Sequence, residues 1–269
     1  MRQDPFPAER AQLHADGFTV LRGVIAPRWL DHLAAALENA LARPSPLGQQ
    51  FARAGGAFHS DLYLSASFPA FRAFAFESEL GAAVGAVAGL DRVVMFTDEL
   101  LVKEPRTTVE TPWHHDYSYW PIAGEQVWSA WIPLDAVEAG TGALEFVRGS
   151  HDWRRVFHPS DFDTGAARVT RPEEEAMPDI DRLVGPEERA VAEVEPGDVV
   201  VFHALTLHRA SGNPHHERRR RAIVLRLVGP DVRYDPRPRT LPLIWAPRLA
   251  PGQPLGDDPL FPTLWTRPE

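Results

Sequence analysis

From residue 92 to residue 228 the chain repeats one pattern, a short apolar run closed by a turn, and this limits the folds open to it. Runs at 93–96, 100–102, 127–134, 143–147, 191–194, 199–203 and 222–228 read as strands. Many short strands separated by turns indicate a sandwich or a barrel. Helices come before them. Residues 8–15 are helix-forming, Asp16-Gly17 breaks the helix, and 18–21 is strand-like. Pro27 opens a helix to Ala42, in which Leu30, Leu33, Leu37 and Leu41 recur at three- and four-residue steps. Residues 44–56, rich in Pro and Gly, read as a loop; 58–63 as a short strand or pocket lip; 68–90 as one or two helices ending at Gly89. The expected fold is mainly β with flanking helices, as one domain over 1–269. A helical part covers about 1–90. A double-stranded β-helix (jelly-roll, cupin-like) core covers about 91–230, with a polar excursion or lid at 152–188. A proline-dense, irregular wrap covers 231–269, where Leu243, Ile244, Trp245, Leu260, Phe261 and Trp265 predict docked chain and not a free linker.

The chain has no cysteine, which excludes thiolate-ligated zinc and Fe–S centres, so any metal must rest on His, Asp or Glu. A net charge of −9 argues against a nucleic-acid partner. No apolar run reaches the length of a membrane span, and Met1-Arg2-Gln3-Asp4-Pro5 lacks the apolar segment of a signal peptide. The expectation is a cytosolic protein with a small-molecule partner and no membrane or nucleic-acid partner. The oligomeric state is left open.

One stretch concentrates the chemistry: Thr111-Pro112-Trp113-His114-His115-Asp116-Tyr117-Ser118-Tyr119-Trp120-Pro121. Its aromatic residues favour an extended chain. In a strand His114 and Asp116 project from one face and His115 from the other. They would then be two of the three ligands of a 2-His-1-carboxylate iron site. The third comes from 195–213, where Pro196-Gly197-Asp198 makes a turn and a strand follows. His208 ends that strand; His203, inside it, is the rival. Such a triad leaves coordination positions free for Fe(II) dioxygen chemistry. Next, Arg218-Arg219-Arg220-Arg221 lead into the apolar run at 222–228. Three of them read as a solvated face, and one can enter the barrel to hold a carboxylate at two points. By parity Arg220 shares a face with Ala222 and Val224, and Arg219 and Arg221 share the other.

The order and spacing of these motifs resemble the phytanoyl-CoA dioxygenase family of Fe(II)/2-oxoglutarate-dependent oxygenases. The matching features are Asp16-Gly17-Phe18, Lys103-Glu104-Pro105, Trp113-His114-His115-Asp116, Ala130-Trp131, Thr141-Gly142-Ala143-Leu144, Arg148-Gly149-Ser150-His151, Pro196-Gly197-Asp198, and His208 with Asn213 and Arg220-Arg221-Ala222. The resemblance implies Fe(II) on His114, Asp116 and His208. It implies 2-oxoglutarate held by Arg220 and lined by Trp131, with Lys103, Glu99 and Ser211 as further co-substrate-binding candidates. Two departures stand out. Ser211 is displaced by one from the usual position. The loop before the arginines is one residue longer, which keeps Arg219 as the alternative to Arg220. The implied reaction consumes O2 and 2-oxoglutarate, releases succinate and CO2, and hydroxylates an aliphatic C–H of a small molecule. Asp116 is present where halogenating relatives lack a carboxylate, which favours hydroxylation. Nothing marks a CoA-binding surface, so the family name does not name the substrate. Tyr117, Tyr119, Trp120 and Trp128 are a pocket wall or core; His59 is read as a core or surface residue. Competing readings are a cupin-type metal enzyme that needs no arginine, a non-catalytic binding protein on the same fold, which predicts a broken triad, and a basic interaction site, which the overall charge opposes.

Overall fold

Gly17 joins the helical and sheet parts of the molecule. The helix α1 (Pro7–Asp16) ends there with φ 80°, a left-handed turn that glycine adopts freely, and the Gly17 N–H donates to Leu13 O at 3.0 Å. A Cβ at this position would lie 2.5 Å from both His151 Nδ1 and Thr206 Oγ1, so the site also requires the missing side chain. The computed structural model describes residues 5–268 apart from 54–55, 162–165, 242 and 244–246, with the backbone alone for 49–53 and 56.

After the strand β1 (Phe18–Leu21) come α2 (Pro27–Ala42), a hairpin of β2 (Gln49–Arg53) and β3 (Gly56–Leu62), and then α3 (Leu64–Ser67), α4 (Pro69–Glu77) and α5 (Leu80–Ala88). Pro27 and Pro69 stand at the first turns of their helices, where a proline loses no helical hydrogen bond. The remaining strands are β4 (Arg92–Lys103), β5 (Thr111–His114), β6 (Ile122–Ala123), β7 (Val127–Pro133), β8 (Leu144–Val147), β9 (Arg189–Ala192), β10 (Val199–His203), β11 (His208–Ala210), β12 (Arg220–Val228), β13 (Arg233–Tyr234) and β14 (Thr263–Thr266). The strands form a large antiparallel sheet in the order β1-β10-β7-β12-β4-β3-β2, with β14 also on β4, a smaller sheet in the order β5-β11-β8-β9, and a two-stranded pair of β13 and β6. This is the jelly-roll arrangement, with the helices laid on the large sheet.

Alternation along the large sheet divides the core in two. On β12, Ile223, Leu225 and Leu227 pack with the helices, while Ala222 and Val224 pack between the sheets. On β10, Val199 and Val201 face the helices, and Val200 and Phe202 face the smaller sheet. On β7, Ala130 and Ile132 go one way and Trp131 the other. Each strand is therefore buried on both faces, and its side-chain period of two fixes which residues reach the space between the sheets.

Three expectations change. The 44–56 loop contains β2, which pairs with β3. The 111–121 stretch is not one strand: β5 stops at His114, Asp116 is helical (φ −72°, ψ −30°), and Tyr117–Tyr119 form a 3-10 turn. The tail is less irregular than expected, since β14 pairs with β4 and Trp265 packs beside α5. Phe261 is fully buried and Leu260 half-buried; Ile244 and Trp245 lie outside the described residues.

Candidate active site

His114 ends β5 and His208 begins β11, and the two are directly opposed in the antiparallel register. Their rings lie 4.1 Å apart, centroid to centroid. Asp116 enters from the turn after β5 and puts Oδ1 3.7 Å from His114 Nε2 and 3.9 Å from His208 Nε2. The three ligand atoms lie within 4.8 Å of one another, and all three side chains are buried. Each ring is fixed by its other nitrogen, His114 Nδ1 on Pro112 O at 2.8 Å and His208 Nδ1 on Thr206 O at 3.0 Å. A carbonyl only accepts, so Nδ1 carries the proton and Nε2 presents its lone pair to the other two ligands, as a metal requires. Burial, followed by the neighbouring His114, pushes His208 down to about 3, which keeps the ring neutral.

Asp116 Oδ2 is engaged from the large sheet. It accepts from Ser129 Oγ at 2.7 Å and faces Arg226 Nε at 3.4 Å. Ser129 and Arg226 are cross-strand partners on β7 and β12, so one register position supplies both. Burial alone would raise the Asp116 pKa. Arg226, the two histidines and Ser129 outweigh it and bring the carboxyl down to about 2. Arg226 continues to Glu99 Oε2 at 3.1 Å, and Ser60 Oγ donates to Glu99 Oε1 at 2.6 Å.

The triad lines a cavity of about 520 Å³ between the sheets, whose wall also includes Glu99, Trp131, Arg220 and Arg226. Arg220 is 4% exposed, and its guanidinium lies 5.8 Å from the Trp131 ring centroid. Its one hydrogen bond goes to Leu101 O at 3.2 Å; its Nε is buried with no partner, and no ion pair meets it among the described residues. Burial lowers its pKa to about 10, which is still high enough for the group to stay charged. A buried cation with no counter-charge is costly unless a ligand supplies one.

The family model for phytanoyl-CoA dioxygenase (PhyH) matches residues 13–222, a span that holds His114, Asp116, His208 and Arg220 and ends before Arg226. The chain belongs to the phytanoyl-CoA dioxygenase family. A curated relative, a probable phytanoyl-CoA dioxygenase of Caenorhabditis elegans, is 26% identical over 144 residues. That match covers 52% of this chain and 44% of the relative, so the chain spans less than half the length of that relative. Among solved structures, the non-heme alpha ketoglutarate dependent epimerase SnoN from nogalamycin biosynthesis superposes with a TM-score of 0.75 at 22% identity, covering 96% of this chain and 97% of that one. The carbocyclase SnoK from the same biosynthesis gives 0.74 at 23%, over 96% and 95%. EctD from S. alaskensis gives 0.70 at 20%, over 91% and 84%. At these identities the likeness is one of fold.

Within this family member the other predicted residues fall on both sides of the cavity wall. Arg219 turns outward to Glu104 and Glu38, and Arg221 to Asp135 and Glu38. Lys103 is fully buried but is not part of the wall. Its Nζ donates to Val109 O, Ala210 O and Ser211 O at 2.9, 3.2 and 2.5 Å, which uses all three protons to hold the end of β11. Ser211 Oγ likewise accepts from Gly142 N at 2.9 Å, outside the wall. His115 points away and accepts from Phe157 N at 2.8 Å. His203 donates to Glu125 O at 2.7 Å and stays outside the cavity. His59 faces Glu104 at 3.3 Å. Of the four aromatics, Tyr119 and Trp120 line the cavity, while Tyr117 and Trp128 pack elsewhere. Sequence reasoning missed Arg226, Ser129 and Ser60. Arg226 carried a signal: it continues the two-residue step Arg220, Ala222, Val224 as the lone charge in an apolar run.

Proposed function

We propose that the chain is an Fe(II)- and 2-oxoglutarate-dependent oxygenase that hydroxylates an aliphatic C–H of a small molecule. One observation carries this reading. A buried guanidinium that no carboxylate pairs among the described residues lines the same cavity as a preorganised His-Asp-His cluster. A metal enzyme with no carboxylate co-substrate has no use for that guanidinium, and its burial would be an unrelieved cost.

The donor set fits Fe(II): two neutral imidazoles with free Nε2 lone pairs and one ionised carboxylate with a free Oδ1. His114, Asp116 and His208 would hold it. Arg220, stacked near Trp131, would hold the far carboxylate of 2-oxoglutarate by paired N–H bonds. Bound there, iron and co-substrate would supply O2 activation, with CO2 released, one oxygen atom of O2 ending in succinate and the other in the substrate. The protein supplies position. Ser129 and Arg226 fix the Asp116 carboxylate, Pro112 O and Thr206 O fix the rings, and the two sheets exclude water from the cluster. Lys103 acts at one remove, by pinning the strand that carries His208.

Anaerobic addition of Fe(II) and 2-oxoglutarate to the protein should produce the visible metal-to-ligand charge-transfer band. Arg220→Ala should weaken 2-oxoglutarate binding by about tenfold or more, the size of a lost charge-assisted pair, and Arg219→Ala should leave it unchanged. Absence of the band in the unaltered protein would sink the reading; the opposite pattern in the two variants would move the anchor to Arg219.

A further inference from the structure

The wall of the cavity changes character along its length. Residues around the triad are buried and come from strands, whereas Asp161, Arg168, Arg239 and Leu241 are half-buried or exposed and mark the opening. They belong to two segments without long strands, the 152–188 excursion and the tail after β12. Tyr119 joins both segments. Its hydroxyl donates to Ser160 O at 2.8 Å and accepts from Ser160 N at 3.0 Å, while its carbonyl accepts from Leu241 N at 2.6 Å. Arg237 ties them again. It donates to Trp120 O and to Thr170 Oγ1, and it pairs with Glu174, whose side chain is wholly buried in the excursion. The opening is thus a built structure, cross-braced from both sides.

Into it the tail presents Arg239. This residue has φ 64°, the left-handed region that a side chain with a Cβ enters only at a cost. Pro236 and Pro238 both precede it and fix φ at two of the three positions leading into it. Across the opening, Arg168 is matched by Asp161. Arg239 has no hydrogen bond and no ion pair among the described residues. A strained, braced and unmatched guanidinium on the wall of a cavity is placed for a ligand.

We propose that Arg239 recognises an anionic group, a carboxylate or a phosphate, on the primary substrate at the opening of the cavity. The inference rests on the oxygenase reading for the word substrate and on the geometry of the opening for the charge. The anion sits between Arg239 and Arg168. The apolar part of the molecule runs inward along Leu241, Leu62 and Trp120 toward the metal cluster. Arg239 is a specificity-determining residue and takes no part in the chemistry.

Calorimetry on protein loaded anaerobically with Fe(II) and 2-oxoglutarate tests this with matched probes at millimolar concentration. Cyclohexanecarboxylate is set against its amide, phenylacetate against phenylacetamide, and benzyl phosphate against benzyl alcohol. At least one anion should bind about tenfold more tightly than its neutral partner, the worth of a charge-assisted contact. The carboxylate and phosphate arms show which anion is preferred. Arg239→Ala and Arg239→Gly should bring that ratio to near one, and Arg239→Lys should keep much of it. Glycine suits the left-handed backbone, so Arg239→Gly separates loss of recognition from loss of fold. The charge-transfer band should be unaltered in all three variants. Equal binding of anion and neutral partner, an unchanged ratio in Arg239→Ala, or no binding by any anion would overturn the proposal. Loss of the band in the unaltered protein would instead overturn the oxygenase reading, and the probe ratios would still decide the role of Arg239.

Discussion

Ser129 illustrates how much of this site lies outside its ligands. Its hydroxyl holds one oxygen of Asp116 and so leaves the other directed at the two histidines. Removing it should loosen the carboxylate without touching the rings. Ser129→Ala is expected to weaken divalent-metal affinity by about 10–100-fold, measured by titration against a competing chelator; unchanged affinity would show that Arg226 alone orients Asp116. The same residues show what was readable in advance. Strand parity grouped Arg220 with Ala222 and Val224 and set Arg219 and Arg221 on the other face, and β12 keeps that alternation; that the Arg220 face is the inward one came from the family resemblance. Asp116 was placed on the correct side for the wrong reason. Strand parity was expected to align it with His114, yet β5 ends at His114 and a 3-10 turn delivers the carboxylate. Aromatic residues that suit a strand also suit a buried turn, and nothing in Tyr117-Ser118-Tyr119 distinguishes the two locally.

At the level of elements, the docking of the tail on α5 depends on two small residues. Gly81 and Gly85 face the tail strand β14, and a Cβ on Gly85 would stand 2.3 Å from Trp265 Cζ3. Two effects compete in Gly85→Ala. Helix propensity favours alanine by about 1 kcal/mol, whereas forcing the indole off the helix costs about 1–3 kcal/mol and exposes an aromatic face. The second should win, so Gly85→Ala is expected to lower Tm; an unchanged or raised Tm would mean that Trp265 repacks without loss. Apolar content identified the tail as docked chain, and Trp265 and Phe261 do dock. That part of it adds a strand to β4 was hidden, because Pro262 directly precedes β14 and the pairing partner lies more than 150 residues earlier. The β2 strand was hidden similarly: it pairs only with its neighbour in a hairpin, inside a stretch whose composition is that of a loop.

For the molecule as a whole, the joint between sheet and helices should set part of the pH dependence of stability. Asp98, on the helix side of β4, is 2% exposed and accepts from Ser65 N at 2.9 Å and from Ser65 Oγ. Burial raises its pKa to about 6 from an ordinary 3.8, against the lowering effect of the Ser65 bonds. The folded state therefore holds its proton over a range where the unfolded chain has released it, and stability falls as pH rises through that range. Asp98→Asn keeps an acceptor for Ser65 and has no charge to bury. Its stability relative to the unaltered protein should drop by about 2 kcal/mol between about pH 7 and about pH 4, followed by denaturant unfolding. A pH-independent difference would mean that Asp98 titrates as an ordinary carboxylate. The jelly-roll class was legible at this scale because strands buried on both faces announce themselves as apolar runs. The layout of the opening was not, because the excursion and the tail have no periodicity and meet through side chains far apart in sequence, among them Tyr119, Arg237 and the Arg171–Asp235 pair. That division has a consequence for descent. The two histidines and Arg220 sit on paired strands, where a one-residue insertion would turn every neighbour to the wrong face, and Asp116 on the turn that follows β5, while Arg239, the selecting group proposed above, sits on a braced surface segment that tolerates changes of length. On that proposal chemistry and choice of substrate are carried on separate pieces of chain, so that one can change while the other is kept.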